Sequence, residues 1–509
     1  MITANRFTIN HMNPTNFKIT GLIAKSRARL RLGLPNFVAS CGAGFRQASK
    51  GGFERRRAGS QSVLKYALVI VCVVGALGCQ RSKDRGGLQE VREGKVVGGS
   101  MAPNFLGEHF LFQCESCDSR VVADFAQSKK RSDLICPYCS TSGSLLSCQR
   151  KDSDGVKLEV GGQEIQRWDV VAFKVKPETA GIKRVVGLPG ETIQIRGGNL
   201  WREGKLIQKS VPDQKRTRIL IHDSNKTSSA SLDWQAVDSA GSRLETSKHR
   251  FANRKFNFDS SPDGRKLQWF QFCNQRNYAH TSDSETPPTD GEIQAWPIED
   301  HYGYNQSLAR KLNVVDEIFV SLNFLPVATR GIAWRFANGA NSYEFAIDVE
   351  QKELAISQLE VSSGLAIDHA TQRFQLAESL FANAEIEVEF STIDKMAVIL
   401  IGGTEVTRFQ LESAPEKKRA ERSKDDARQL LRLGAEVVPG AEQSPIGRVR
   451  IWRDIYYLVA EENGGQSQTL VGSPDGFLLL GDNQPVSIDS RHWPDVSVSK
   501  TDLIGKVRK

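Results

Sequence analysis

Along much of the chain, apolar residues alternate with polar ones at the period-2 spacing of half-buried β-strands. Ile318, Val320, Leu322 and Phe324 stand between mostly polar neighbours. Tyr343, Phe345, Ile347 and Val349 repeat the pattern, as do Ile386, Val388 and Phe390 against Glu385, Glu387 and Glu389. Gly402-Gly403, between the runs Val398–Ile401 and Val406–Leu411, reads as a hairpin turn. Many such strands without helical stretches between them predict an antiparallel β-sandwich over residues 211–412. Shorter β-like runs divided by Gly and Pro fill residues 96–210, Val170–Phe173 and Thr192–Ile195 being the clearest. After a charged stretch over 413–444, read as a linker or exposed helix, β-like runs return in 445–509 at Tyr456–Val459, Phe477–Leu480 and Ile504–Val507. The fold class is therefore mainly β.

One apolar run has a different character. Tyr66–Gly78 is uncharged and mostly apolar, and it follows a basic flank. Its thirteen residues fall short of the roughly 20 a spanning helix needs but match a signal-peptide apolar region of about 7–15. Residues 63–79 are thus read as a membrane anchor or a lipoprotein-type signal, since Ala76-Leu77-Gly78-Cys79 looks like a lipobox; a buried core helix is the third reading. Positive charge before an apolar run stays on the cytoplasmic side, which puts the rest of the chain outside the cell membrane. Residues 1–62 read as a basic, disordered region.

Charge supports this reading. The chain carries a net +9, but residues 1–65 hold twelve Lys/Arg and one acid, Glu54, so the remainder is slightly acidic at −2. A basic folded body, and with it a nucleic-acid partner, is not implied. Contents of 39% hydrophobic and 25% charged residues are ordinary for globular domains, and 509 residues allow two or three of them.

Three separated segments carry the candidate chemistry: Gly98-Gly99-Ser100-Met101-Ala102-Pro103, Ile182-Lys183-Arg184-Val185-Val186-Gly187-Leu188-Pro189-Gly190-Glu191, and Gly481-Asp482-Asn483-Gln484-Pro485-Val486-Ser487-Ile488-Asp489-Ser490-Arg491. In composition and order they resemble the conserved boxes of the bacterial type I signal peptidases, the S26 family with a Ser/Lys dyad. The resemblance covers roughly 96–210 and 445–509 and implies a peptidase core of antiparallel β-structure in two parts. Residues 211–412 would be an insertion, which looks like a concanavalin/laminin-G-type sandwich.

The resemblance implies roles. Ser100 would be the nucleophile and Lys183 the general base. A serine hydroxyl needs a neighbour to take its proton, and a lysine does so only when neutral, which requires burial to lower its pKa from about 10.4. Val185, Val186 and Leu188 suit a lysine on an apolar β-edge, and Arg184, if it points the same way, disfavours a second positive charge beside it. Ser487 would hydrogen-bond the lysine amine, Asp489 and Arg491 would form a supporting salt bridge, and Asp482 and Asn483 would shape the same loop. The oxyanion hole would use the Ser100 main-chain N–H beside Gly98. Met101 and Pro103 would line the substrate groove, Pro103 also fixing the turn. Gln484 stands where the family usually has Arg, and Asn104-Phe105 where Thr-Leu is common. His492 is an alternative base, without a motif of its own.

A second constellation lies between Ser100 and Lys183. Cys114 and Cys117 are separated by eighteen residues from Cys136 and Cys139, a spacing that suits a four-thiolate structural zinc ribbon over 112–142; two disulfides are the alternative in an oxidising compartment. Catalysis itself needs no cofactor in this reading. The implied function is a membrane-bound serine endopeptidase that removes signal peptides from exported preproteins with small residues at −1 and −3, working at the lipid bilayer. The rival is an inactive or specialised extracytoplasmic binding or scaffold protein using an unknown ligand of the inserted sandwich.

Overall fold

The computed structural model describes residues 90–509 apart from 130, 139–140, 162–163, 177–178, 227–232, 245–249, 260–265, 276–281, 283–295, 338–341, 361–365, 412–430 and 461–465. The basic region 1–62, the apolar segment 63–79 with Cys79, and Cys139 lie outside the described residues. No helix among the described residues is long and apolar enough to cross a membrane. The molecule is mainly β, and its longest described helix is Val211–Thr217.

Chain segments from both ends of the described region meet in one seven-stranded sheet. Its order is Glu90–Lys95, Gly155–Val160, Leu503–Arg508, Val170–Lys176, Thr179–Gly187, Gly476–Leu480 and Val498–Ser499, with antiparallel neighbours throughout. Because side chains alternate across a strand, the apolar run Val170–Phe173 buries both faces. Val170 and Ala172 pack with Val96, Met101 and Ile182 on one side, and Val171 and Phe173 pack with Val185 and Leu479 on the other. A four-stranded sheet of Lys205–Leu206, Asn199–Arg202, Thr192–Arg196 and Ser467–Val471 closes over a further cluster that includes Trp168, Ile193, Leu200 and Leu480.

Between these parts, two larger sheets share one core. The six-stranded sheet runs Ile219–Asp223, Ile446–Arg453, Ile318–Phe324, Ile386–Ser391, Met396–Ile401, Thr404–Gln410. The seven-stranded one runs Trp234–Val237, Gln268–Phe272, Leu431–Val437, Thr329–Ala337, Ser342–Asp348, Glu353–Leu359, Ala366–Gln375. Ile318, Val320, Leu322 and Phe324 from the first meet Trp334, Phe345 and Ile347 from the second in a single apolar cluster, as their alternation requires. Gly402 and Gly403 take φ of +59° and +79°, the left-handed pair a two-residue hairpin loop demands.

Two stretches differ from the sequence reading. Leu431–Val437, assigned there to the charged linker or helix of 413–444, is a strand between Gln268–Phe272 and Thr329–Ala337. Ile446–Arg453, assigned to the second peptidase part, pairs with Ile219–Asp223 and Ile318–Phe324. Leu431, Leu433, Ala435, Val449 and Ile451 are all in the shared core, and burying these apolar faces outweighs the polar composition of the flanking sequence. The two-sheet body therefore ends near Arg453.

A small module between Ser100 and Lys183 contains the three-stranded sheet Arg120–Asp124, His109–Gln113, Gln149–Lys151 and the hairpin Asp133–Ile135, Ser142–Ser144. Where the two-sheet body joins the part that carries Ser100 and Lys183, the buried Lys209 ammonium lies 2.7 Å from Asp394 and 2.9 Å from Asp454.

Candidate active site

Ser100 lies in a turn, not on a strand. The turn is closed by hydrogen bonds from the Ala102 N–H to the Gly99 carbonyl (3.1 Å) and from the Phe105 N–H to the Met101 carbonyl (2.9 Å). Gly98 opens it with φ +84°. At Gly99 a β-carbon would come within 2.6 Å of the Tyr304 ring and 2.9 Å of an Asp124 oxygen, so glycine lets both approach the residue before the serine. Met101 is buried with Val96, Phe105 and Ile182. It anchors the turn in the core, where the sequence reading had it lining a groove. Pro103 is exposed.

Lys183 comes from the strand Thr179–Gly187, paired on both sides by Val170–Lys176 and Gly476–Leu480. It is thus an interior strand and not the expected edge. Lys183 pairs in register with Val171 and shares its face with Val185, both fully buried. The Lys183 Nζ lies 2.7 Å from the Ser100 Oγ, with both residues buried. Burial pushes the ammonium pKa down to about 8; Arg491 adds to the fall, and the Asp489 and Asp482 charges oppose it. Arg184 does not point the same way as Lys183: it lies on the other face and forms a fork with Asp482, at 2.7 Å (Nε to Oδ1) and 2.5 Å (Nη2 to Oδ2). Its charge is spent there.

The third segment wraps this pair. The Asn483 N–H donates to the Ser100 carbonyl (3.0 Å), and its side-chain amide donates to the Gly99 carbonyl (2.8 Å). Asn483 therefore holds the serine turn directly. Asp489 receives the Arg491 guanidinium through two bonds of 2.8 Å and the Gly481 N–H at 3.0 Å. Burial alone would raise the Asp489 carboxyl, but the Arg491 charge and these hydrogen bonds outweigh it and hold the group well below the usual carboxylate range. Arg491 also donates to the carbonyls of Gln484, Ser487 and Leu458. His492 is 3.7 Å from Asp489, beside the ion pair. Ser487 differs from expectation. Its hydroxyl is buried, has no hydrogen-bond partner among the described residues, and lies against the Cα of Gly481, where a β-carbon would meet it at 2.1 Å. The lysine amine bonds Ser100.

Residues 93–278 match the family model described as signal peptidase, peptidase S26. A stretch of 99 residues is 36% identical to signal peptidase I V of Bacillus subtilis (strain 168), covering 19% of this chain and 55% of that one. These matches support the S26 signal peptidase family. The chain spans about half the length of that curated relative. The family match takes in the Ser100 and Lys183 segments and stops before the third. Among solved structures, Caenorhabditis elegans galectin LEC-6 (11% identity, TM-score 0.19, 27% of this chain and 81% of that one) and a sheep galectin-11 complex with glycerol (10%, 0.18, 27% and 92%) are also matched; scores this low carry no weight for the fold.

Several residues at the site had no signal in the sequence. Asn305 exchanges two side-chain hydrogen bonds with Asn483, of 2.7 and 2.9 Å, both residues being buried. The Tyr302 hydroxyl donates to the Asp482 carbonyl (2.8 Å). Both come from the stretch outside the S26-like boxes. The two departures from the S26 pattern are also in use. Asn104 donates to Asp482 (2.8 Å), and Gln484 ties the Gly481 carbonyl (2.6 Å) to the Leu458 N–H (3.2 Å).

The cysteine module brings the sulfurs of Cys114, Cys117 and Cys136 within 4.8 Å of one another, all buried. The Cys117 and Cys136 sulfurs are 3.5 Å apart, far beyond a disulfide bond of about 2.05 Å. That separation is close to the roughly 3.8 Å expected between two thiolates on one tetrahedral zinc with bonds of about 2.3 Å. The donor set fits a structural zinc. The fourth expected ligand, Cys139, lies outside the described residues.

Proposed function

We propose that this chain is a membrane-anchored serine endopeptidase of the signal peptidase I type, with Ser100 as nucleophile and Lys183 as general base. The contact of 2.7 Å between the Lys183 Nζ and the Ser100 Oγ carries this reading. A neutral Lys183 takes the Ser100 proton as Oγ attacks the scissile carbonyl, and it returns that proton to the leaving amine. Water then hydrolyses the acyl-enzyme ester, again with Lys183 as base. Asp489 and Arg491 position the loop that carries Asn483, and Asn483 holds the serine turn. The substrates are exported preproteins with small residues at −1 and −3, cut on the extracytoplasmic side of the bilayer. The S26 match over residues 93–278 supports the substrate class, and the basic flank and apolar run at 1–79 support the location. Four cysteines, 114, 117, 136 and 139, hold a zinc whose task is structural. The two-sheet body is an inserted β-sandwich.

The test is cleavage of a detergent-solubilised model preprotein carrying an Ala-x-Ala site, with N-terminal sequencing of the product. Cutting directly after the second Ala, abolished by a bulky residue at −1, is the expected result. An intact preprotein after prolonged incubation with the folded protein contradicts the proposal.

A further inference from the structure

A cleft of about 410 Å³ opens beside the serine turn. Its volume is in the range of about 300–1,000 Å³ typical of binding sites. Three parts that take no share in the dyad build it. The cysteine module supplies Leu111, Val122 and Tyr138; the first strand of the two-sheet body supplies Ile221; and the stretch Tyr302–Tyr304 supplies the wall between them. Leu111, Val122 and Ile221 are all half-buried, so apolar surface is left open to the cleft.

The cleft is continuous with the catalytic turn. Pro103, three residues after Ser100, lies on its rim. Tyr304, in its wall, touches Gly99 so closely that a β-carbon there would sit 2.6 Å from the ring. One aromatic ring therefore separates the cleft from the residue before the nucleophile. Tyr302, also in the wall, holds the Asp482 carbonyl through its hydroxyl. A chain bound in the cleft would run past the catalytic loop.

The lining also defines the chemistry of the occupant. Asp223 in the lining is already forked to Arg448, at 2.9 and 2.5 Å. The His222 Nε2 already accepts the Trp234 indole N–H at 2.9 Å. Both groups are committed to partners; Arg120, Lys226, Asp233, Asn274 and Gln275 are also in the polar lining, and the larger part of the wall is apolar. An uncharged, apolar segment gains from burial against Leu111, Val122 and Ile221, while a charged one laid on the same side chains would lose hydration.

We infer that this cleft binds an apolar stretch of the substrate polypeptide away from the scissile bond, so that the inserted modules select which precursors are cut. The inference rests on the peptidase reading. Leu111→Lys and Ile221→Lys place a charge in the cleft from two different modules, so misfolding of one variant does not remove the test; thermal midpoints by circular dichroism identify a misfolded one. The quantity read is kcat/KM for a full preprotein divided by kcat/KM for a short peptide spanning only the cleavage site. The expected result is a fall in this ratio of at least about fivefold, through KM for the preprotein. An unchanged ratio in both folded variants overturns the inference.

Binding keeps the two readings apart. A fluorescein-labelled apolar peptide from the preprotein is titrated onto full-length Ser100→Ala protein by anisotropy, with and without Leu111→Lys. Weaker binding with the lysine supports the cleft even if the wild type proves inactive, in which case only the peptidase reading fails. Equal binding overturns the cleft. Tighter binding when Val69 and Val73 of the full chain are replaced by Asp assigns the cleft to the chain's own apolar run and overturns the substrate assignment. Self-association lost on Leu111→Lys, read by sedimentation, assigns it to a second copy and overturns it likewise.

Discussion

A lysine that is to accept a proton must first give one up, and the surroundings of Lys183 set the pH at which it does. With its pKa pushed down to about 8, chiefly by burial, the neutral fraction is about one tenth at pH 7 and one half at pH 8. kcat/KM is therefore expected to rise roughly tenfold per pH unit below 8 and to level off above it. A pH–rate profile that is flat between 6 and 9 contradicts Lys183 as the base. Asp489 raises the Lys183 pKa and Arg491 lowers it, so Asp489→Asn is predicted to move that limb to lower pH. The same change leaves the buried Arg491 unpaired and should cost about 3–5 kcal/mol in urea unfolding at pH 7. The sign follows from the depressed folded-state pKa of Asp489. Its stabilisation is present above the unfolded value of about 3.9 and is lost as pH falls through the folded one. The gap between wild type and variant should thus be full at pH 7 and shrink in strong acid; a gap independent of pH contradicts the role of the ion pair.

At the scale of elements, the serine turn is held by a loop, and that loop is held by the stretch Tyr302–Asn305. Asn305→Ala removes both amide bonds to Asn483 and leaves a buried polar group partly unsatisfied, at a cost of about 1–3 kcal/mol. Because Asn483 bonds the carbonyls of Gly99 and Ser100 and so acts through the position of the serine turn, kcat is expected to fall several-fold with KM little changed. Steady-state kinetics showing a pure KM effect would reject this positioning role. The cysteine module should contain one zinc per chain by elemental analysis. Strong chelation or Cys136→Ser should melt the module, read as increased proteolysis between residues 108 and 151, because ligand binding supplies much of the folding energy of so small a core. The sequence made part of this organisation legible. Ser100 and Lys183 stand in segments with a recognisable residue order, and the strands of the larger body alternate cleanly. Asn305 and Tyr302 left no trace, since a lone amide or phenol in a loop has no period and its partner is distant in sequence. Leu431–Val437 was hidden by the charge run before it. Only its pairing with two strands distant in sequence shows that it is core.

For the whole molecule, one buried cation helps tie the two-sheet body to the part that carries Ser100 and Lys183. Lys209 serves Asp394 and Asp454 together, and these two charges raise its pKa well above the usual value in spite of burial. Lys209→Met leaves both carboxylates without that partner and is expected to destabilise the fold by about 3–5 kcal/mol. Urea unfolding should then separate into two transitions; a single unshifted transition would show that the joint does not depend on this contact. Sequence patterning found the strands on each side of the joint but not the joint, because a buried Lys–Asp–Asp centre is assembled from positions 209, 394 and 454. The proposed function requires the Ser100–Lys183 contact to be catalytic. The most direct measurement is turnover of a model Ala-x-Ala preprotein in detergent by wild type, Ser100→Ala and Lys183→Ala. Cleavage by wild type, reduced by roughly 10³-fold or more in each variant while both remain folded, is the predicted result. Cleavage that survives either substitution would contradict the dyad.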